Sequence, residues 1–169
     1  MPIVIRRADL PAEADEIAKL LTDYITTALQ ELRETFGVED SPTDVSSLRD
    51  SLQEYSDPSK ALFVAQDEAG ALVGVAGLRT LEPGVVEIKR MYVVPECRGA
   101  HLGSQLLDRL LAEAGRMEAR TVRLDTARFM ASAQRLYRSR GFAERTPYAG
   151  TEIPPHLQQY WIFFELLRP

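Results

Sequence analysis

The spacing of apolar positions changes several times along the chain, and each change predicts an element. Residues 3–7, IVIRR, alternate apolar and polar and read as a strand. Over residues 12–32 the spacing lengthens to three and four, so that Ile17, Leu20, Leu21, Tyr24, Ile25 and Leu29 fall on one stripe of a long helix, which Gly37 and Pro42 punctuate. A second, weaker helix is predicted over residues 43–55. Residues 61–94 then hold three β-rich runs separated by DEAG and EPG, the pattern of an antiparallel meander.

Beyond the meander the helical period returns. Leu102, Leu106, Leu107, Leu110, Leu111 and Ala114 share one face, and TVRLDTA, residues 121–127, follows as a short strand. Strand, turn, helix and strand together predict a βαβ unit with parallel strands and a right-handed crossover. Residues 132–142 read as a further helix stopped at Gly141, residues 146–156 as a proline-rich loop, and residues 159–167 as a last strand. No internal repeat or low-complexity segment interrupts the pattern.

With 169 residues, 45% of them hydrophobic, the chain can bury one sizeable core, and we expect one domain spanning residues 1–169. No apolar run approaches the roughly 18 to 20 residues that cross a bilayer, and no secretion signal is recognisable, so the expectation is a cytosolic protein without a membrane partner. The lone Cys97 excludes an internal disulfide framework. A net charge of −5 argues against nucleic acid as a partner. The charge is unevenly spread: residues 31–57 carry eight acidic and two basic residues, residues 86–145 twelve basic and seven acidic. The second half is suited to an anion, although solvated faces of ordinary kind would give the same balance.

The stretch VVPECRGAHLGSQLL, residues 93–107, passes from strand to helix through a turn. The first amides of a helix lack intrahelical acceptors and carry the positive end of its dipole, so they can converge on a diphosphate. Gly99 and Gly103 let a ligand approach the backbone, and Arg98 adds a full charge at the rim. Neither the P-loop nor the dinucleotide fingerprint fits, since there is no lysine in the turn and its glycines are spaced G-A-H-L-G. Cys97 and His101 could share a helical face, but His156 is the only other histidine and no second cysteine exists, so no metal is expected.

The spacing that does fit is [QR]-x-x-G-x-[GA] with its central position altered, and here the sequence resembles the GNAT acetyltransferase family. Arg98, Gly99, Ala100, His101, Leu102 and Gly103 occupy that motif after a strand ending in V-x-P, and AQRLYRSRGF is similar to the family's A-x-x-L-Y-x-x-x-G-F segment. His101 stands where the family usually has glycine, and Met130 where many members place asparagine. The resemblance implies an α/β GNAT fold: a mixed, centrally split sheet with helices on both faces and an acetyl-CoA-binding part at about residues 86–145. It also implies that acetyl-CoA is the cosubstrate, touching Tyr92, Val93 and Val94 in the strand, Arg98 through Gly103 and Ser104 in the turn, and Met130, Ala133 and Tyr137 beyond. The backbone around Tyr92 to Val94 would polarise the thioester carbonyl.

Two proton transfers accompany acetyl transfer to an amine. Tyr137 matches the family's tyrosine acid by its place in LYRSRGF. The resemblance implies Glu87 as the candidate base, since it lies eleven residues before Arg98, where members acting on histones place a glutamate, while many other members recruit the base through water. Glu87 is equally well read as an ion-pair partner for Lys89, Arg90 or an arginine of a neighbouring strand. The expected acceptor is a small-molecule amine, of cationic type if the acidic helical segment shapes its site, and a homodimer is compatible with this reading. A non-catalytic acyl-CoA sensor or scaffold of the same fold is the alternative.

Overall fold

The computed structural model describes residues 2–39 and 45–169, so the expected punctuation at Pro42 lies outside the described residues. In chain order the elements are β1 (Val4–Arg7), α1 (Ala14–Phe36), α2 (Val45–Leu52), β2 (Lys60–Gln66), β3 (Leu72–Glu82), β4 (Val85–Val93), α3 (Leu102–Arg116), β5 (Thr121–Ala127), α4 (Ala131–Ser139), β6 (Ala143–Arg145) and β7 (Trp161–Leu167). The seven strands form one sheet in the order β1-β2-β3-β4-β5-β7-β6. Among the described residues only β4 and β5 run parallel, joined by the α3 crossover, and the other neighbours are antiparallel. The expected meander is β2-β3-β4. β6 was not foreseen, because three residues are too few to show a period.

Alternation along the central strands divides the core into two layers. Phe63, Ala65, Ile88, Leu124 and Phe164 face Leu106, Leu107 and Leu110 of α3. Leu62, Val64, Val75 and Tyr92 face Ile17 and Leu21 of α1 and Leu52 of α2. α1 stops as its sequence suggests: Gly37 adopts φ 67°, and its amide donates to the Arg33 carbonyl at 2.8 Å. On the opposite layer, the Leu106 methyl lies 3.2 Å from where a Cβ on Gly74 would stand, so α3 settles on β3 because position 74 has no side chain.

Leu106 is wholly buried. Its replacement by alanine should cost about 3 kcal/mol, the usual range for a cavity-forming change at such a site, and urea unfolding will measure it. Among the described residues no helix is long and apolar enough to cross a membrane.

Candidate active site

β4 and β5 pair over only three residues, Val85–Glu87 against Thr121–Arg123, and then part. A bulge in β4 helps to drive them apart. Val75 pairs with Tyr92 and Gly77 with Lys89, so Arg90 and Met91 together oppose Ala76, and Arg90 takes the left-handed φ of 57°. Such an insertion bends a strand and sharpens its twist. Between the diverging strands opens a cleft of about 460 Å³, walled by Ile88 to Met91, Leu124 to Thr126, the inner stripe of α1, and residues of α4 and of the loop before β7.

The bulge also sets which backbone groups face the gap. The Val94 amide donates to Val73 in β3 at 3.0 Å. Successive residues of a strand direct their amides to opposite sides, so Val93 directs its N–H away from β3 toward the splayed edge. Its carbonyl accepts from the Arg98 side chain at 3.2 Å. Past Val93, a short 3-10 turn at Pro95–Cys97 leads to Gly99 at φ 88° and His101 at φ 58°, and α3 begins at Leu102. Leu102, Gly103 and Ser104 open the helix and so have no intrahelical acceptor, and among the described residues no backbone hydrogen bond outside the helices uses the amides of Gly99 to Ser104. The left-handed φ of His101 explains the usual preference for glycine there. Histidine adopts this conformation at some cost, and its side chain makes no capping hydrogen bond to the helix start.

Tyr137 of α4 is buried, packs edge-on against Phe142, and donates its hydroxyl toward the Met91 sulfur at 3.8 Å. Burial, reinforced by the charges of Tyr24 and Asp125, pushes its pKa well above the ordinary phenol value, so the proton stays in place at any working pH. Tyr24 of α1 lies with its ring centroid 5.0 Å from that of Tyr92, and burial pushes it up to about 12. Its hydroxyl points at the Met130 sulfur, 4.0 Å away, which also accepts from Thr126. Asp125 of β5 lines the cleft in front of these phenols. Burial, helped by the charges of Glu87 and Glu152 and opposed by Lys89 and Arg79, holds its carboxyl up at about 6.

Glu87 is elsewhere. It is wholly buried at the root of the split, accepting from Arg79 at 2.8 Å and from the Tyr148 hydroxyl at 2.7 Å. Lys89 reaches past it to Glu152 at 2.6 Å, and Arg79 also donates to the Gly150 carbonyl at 2.7 Å. The network ties β3 and β4 to the loop of residues 146–156 and so fixes one wall of the cleft. Of the two readings of Glu87, the geometry matches the ion-pair partner of a neighbouring strand's arginine.

A model of the Acetyltransferase (GNAT) family matches residues 25–142, most of the chain and all of the split. The chain belongs to the GNAT acetyltransferase family. Its relatives include an uncharacterised N-acetyltransferase of Schizosaccharomyces pombe, 32% identical over 154 residues and 90% of each chain. An IAA acetyltransferase of Azospirillum brasilense is 33% identical, over 76% of this chain and 82% of its own. A GNAT acetyltransferase structure from Staphylococcus aureus superposes with TM-score 0.77 at 19% identity, over 99% of this chain and 100% of that one. An acetyltransferase from Salmonella typhimurium, solved with acetyl-CoA, gives 0.72 at 22% identity, over 100% and 95%. At these identities the two structures show the shared fold.

Acetyl transfer is therefore the chemistry this GNAT enzyme carries, with acetyl-CoA as the family's acetyl donor. The structure gathers Met130, Ala133 and Tyr137 around the cleft, whereas Tyr92 to Val94 and Arg98 to Ser104 are not among its lining residues; the turn of Arg98 to Ser104 follows the end of β4. Glu87 is not among the residues lining the cleft. Asp125 escaped the sequence reading because TVRLDTA shows only that it alternates with apolar neighbours. Tyr24 escaped because its place on the α1 stripe is the place of a core residue. A carboxylate in the strand after the crossover helix, two residues beyond the last β4–β5 pair, was the available signal.

Proposed function

We propose that the enzyme transfers the acetyl group of acetyl-CoA directly to the amine of a small molecule seated in the β4–β5 cleft. The observation that carries this reading is the early end of the β4–β5 pairing, because it opens a cleft that Asp125 and Tyr137 both line, with the Val93 amide directed to the same splayed edge farther along β4. The amides of residues 99–104, at the positive end of α3, suit a pyrophosphate. The coenzyme brings the acetyl group as a thioester, and the Val93 N–H is placed to stabilise charge on its carbonyl oxygen.

The amine nitrogen bonds to the acyl carbon, the carbon–sulfur bond breaks, and two protons move. Asp125 takes the proton that the amine must lose, which its carboxyl, held at about 6, accepts from near neutral pH. Tyr137, kept protonated by burial, gives its own to the departing thiolate. Asp125 thus takes the role for which Glu87 was a candidate, because Glu87 already spends both oxygens on Arg79 and Tyr148.

Acetyl-CoA-dependent thiol release across an amine panel tests the reading. Tyr137→Phe should lower kcat about 100-fold while leaving the KM for acetyl-CoA within a factor of about two, since the ring keeps its packing and only the acid is lost. Unchanged turnover in that variant removes Tyr137 from its role, and no thiol release with any amine rejects the function.

A further inference from the structure

Arg90 lines the cleft, and although Glu152 on the same cleft feels its charge, among the described residues no carboxylate forms an ion pair with it. In an unbroken strand its side chain would follow Val86 and Ile88 to the α3 side of the sheet. The bulge turns it to the other face, at the cost of a left-handed backbone. There its guanidinium carbon lies 5.7 Å from the centre of the Tyr55 ring, and Nη2 donates to the Ser51 hydroxyl at 2.9 Å. Ser51 spends its own proton on the Leu48 carbonyl at 2.7 Å, so toward Arg90 it is an acceptor that fixes orientation. The Tyr55 ring can lie there because residue 77 is glycine: a Cβ on Gly77 would come within 2.7 Å of the Tyr55 hydroxyl.

Nη1 of Arg90 is buried with no partner, and among the described residues no carboxylate reaches ion-pair distance of this guanidinium. The neighbouring cations are not in that state, since Arg79 and Lys89 share Glu87 and Glu152. An enclosed charged donor left unpaired is costly, whereas a carboxylate meets a guanidinium with two parallel hydrogen bonds. Resting on the acetyl-transfer reading above, we propose that Arg90 anchors a carboxylate of the acceptor, and that the substrate is an amine of the amino-acid class with an apolar side chain. Leu21, Ile25 and Leu29 of α1 supply the apolar wall, and Asp125 lies on the same cleft for the amine end. A polyamine would instead bring a second cation against Arg90.

The test separates binding from chemistry. Short aliphatic acids such as 4-methylpentanoate, and their neutral amides, are titrated calorimetrically into the CoA-saturated protein at pH 7.5. The acid should bind at least tenfold more tightly than its amide. Arg90→Gln should reduce that preference to about one. Ser51→Ala, which keeps the charge but frees the side chain, should reduce it several-fold, and the melting temperature of each variant reports its folding. Equal affinity of acid and amide, no binding of either, or a preference that survives in folded Arg90→Gln overturns the proposal. An acid preference intact beside an amine panel that releases no thiol would sink the acetyl-transfer reading and leave the anchor standing.

Discussion

Asp125→Asn should remove most of the activity and at the same time make the protein more stable above pH 6. The loss in kcat/KM is expected at about 100- to 10,000-fold, the usual contribution of a positioned base. In the parent enzyme the logarithm of kcat/KM should rise with unit slope up to about pH 6 and then flatten, because a base acts only when deprotonated and Asp125 is held at about 6. The groups that set this value are burial first, then Lys89 and Arg79 on one side and Glu87 and Glu152 on the other. The variant should lack the limb. For stability the sign follows from proton counting. The folded carboxyl holds its proton up to about 6, while the unfolded one loses it near the ordinary value of 3.8, so stability falls as pH climbs through that window. Above pH 6 the folded state bears a poorly solvated charge that asparagine does not have. The gain in the variant should be about 1–3 kcal/mol at pH 8 and vanish by about pH 4, as thermal unfolding at the two pH values will show. A variant no more stable at pH 8 than at pH 4, relative to its parent, contradicts the assignment.

Glu87 should behave in the opposite way. Its carboxylate is wholly buried between Arg79 and Tyr148, and breaking such an arrangement by removing one partner costs about 3–5 kcal/mol. Glu87→Ala should lose stability on that scale, as urea unfolding measures. Glu87→Gln, which still offers an acceptor to Tyr148, should lose less. The fraction that remains folded should keep the acidic limb of the rate profile, displaced toward lower pH because one negative charge near Asp125 is gone. Loss of the limb in Glu87→Gln would return the base to Glu87.

The difference between these two carboxylates shows where sequence reading stops. The motif around Arg98 and the LYRSRGF segment fix positions relative to the backbone, and the backbone of a family is its most stable property. The helix stripes, the meander, the crossover and the strand-to-helix turn after Pro95 were legible for that reason. Which strand residues face the gap depends on a bulge of one residue, and nothing in VVEIKRMYVV marks it: Arg90 carries no glycine or asparagine signature for its left-handed φ. A one-residue insertion exchanges faces beyond it. Glu87 thus lies before the bulge at the paired root, Arg90 turns into the cleft, and Asp125, in a strand of unremarkable alternation, stands opposite. The loop of residues 146–156 was similarly opaque, since its anchoring by Arg79, Glu87 and Lys89 joins residues about sixty positions apart.

In the proposed mechanism the splayed edge of β4 and the turn into α3 together grip the acetyl donor. Titrating acetyl-CoA into isotopically labelled protein and following the backbone amides tests it directly. The largest shifts should fall on Gly99 through Ser104 and on Val93, whereas shifts confined to any other part of the sheet or its helices would contradict the account.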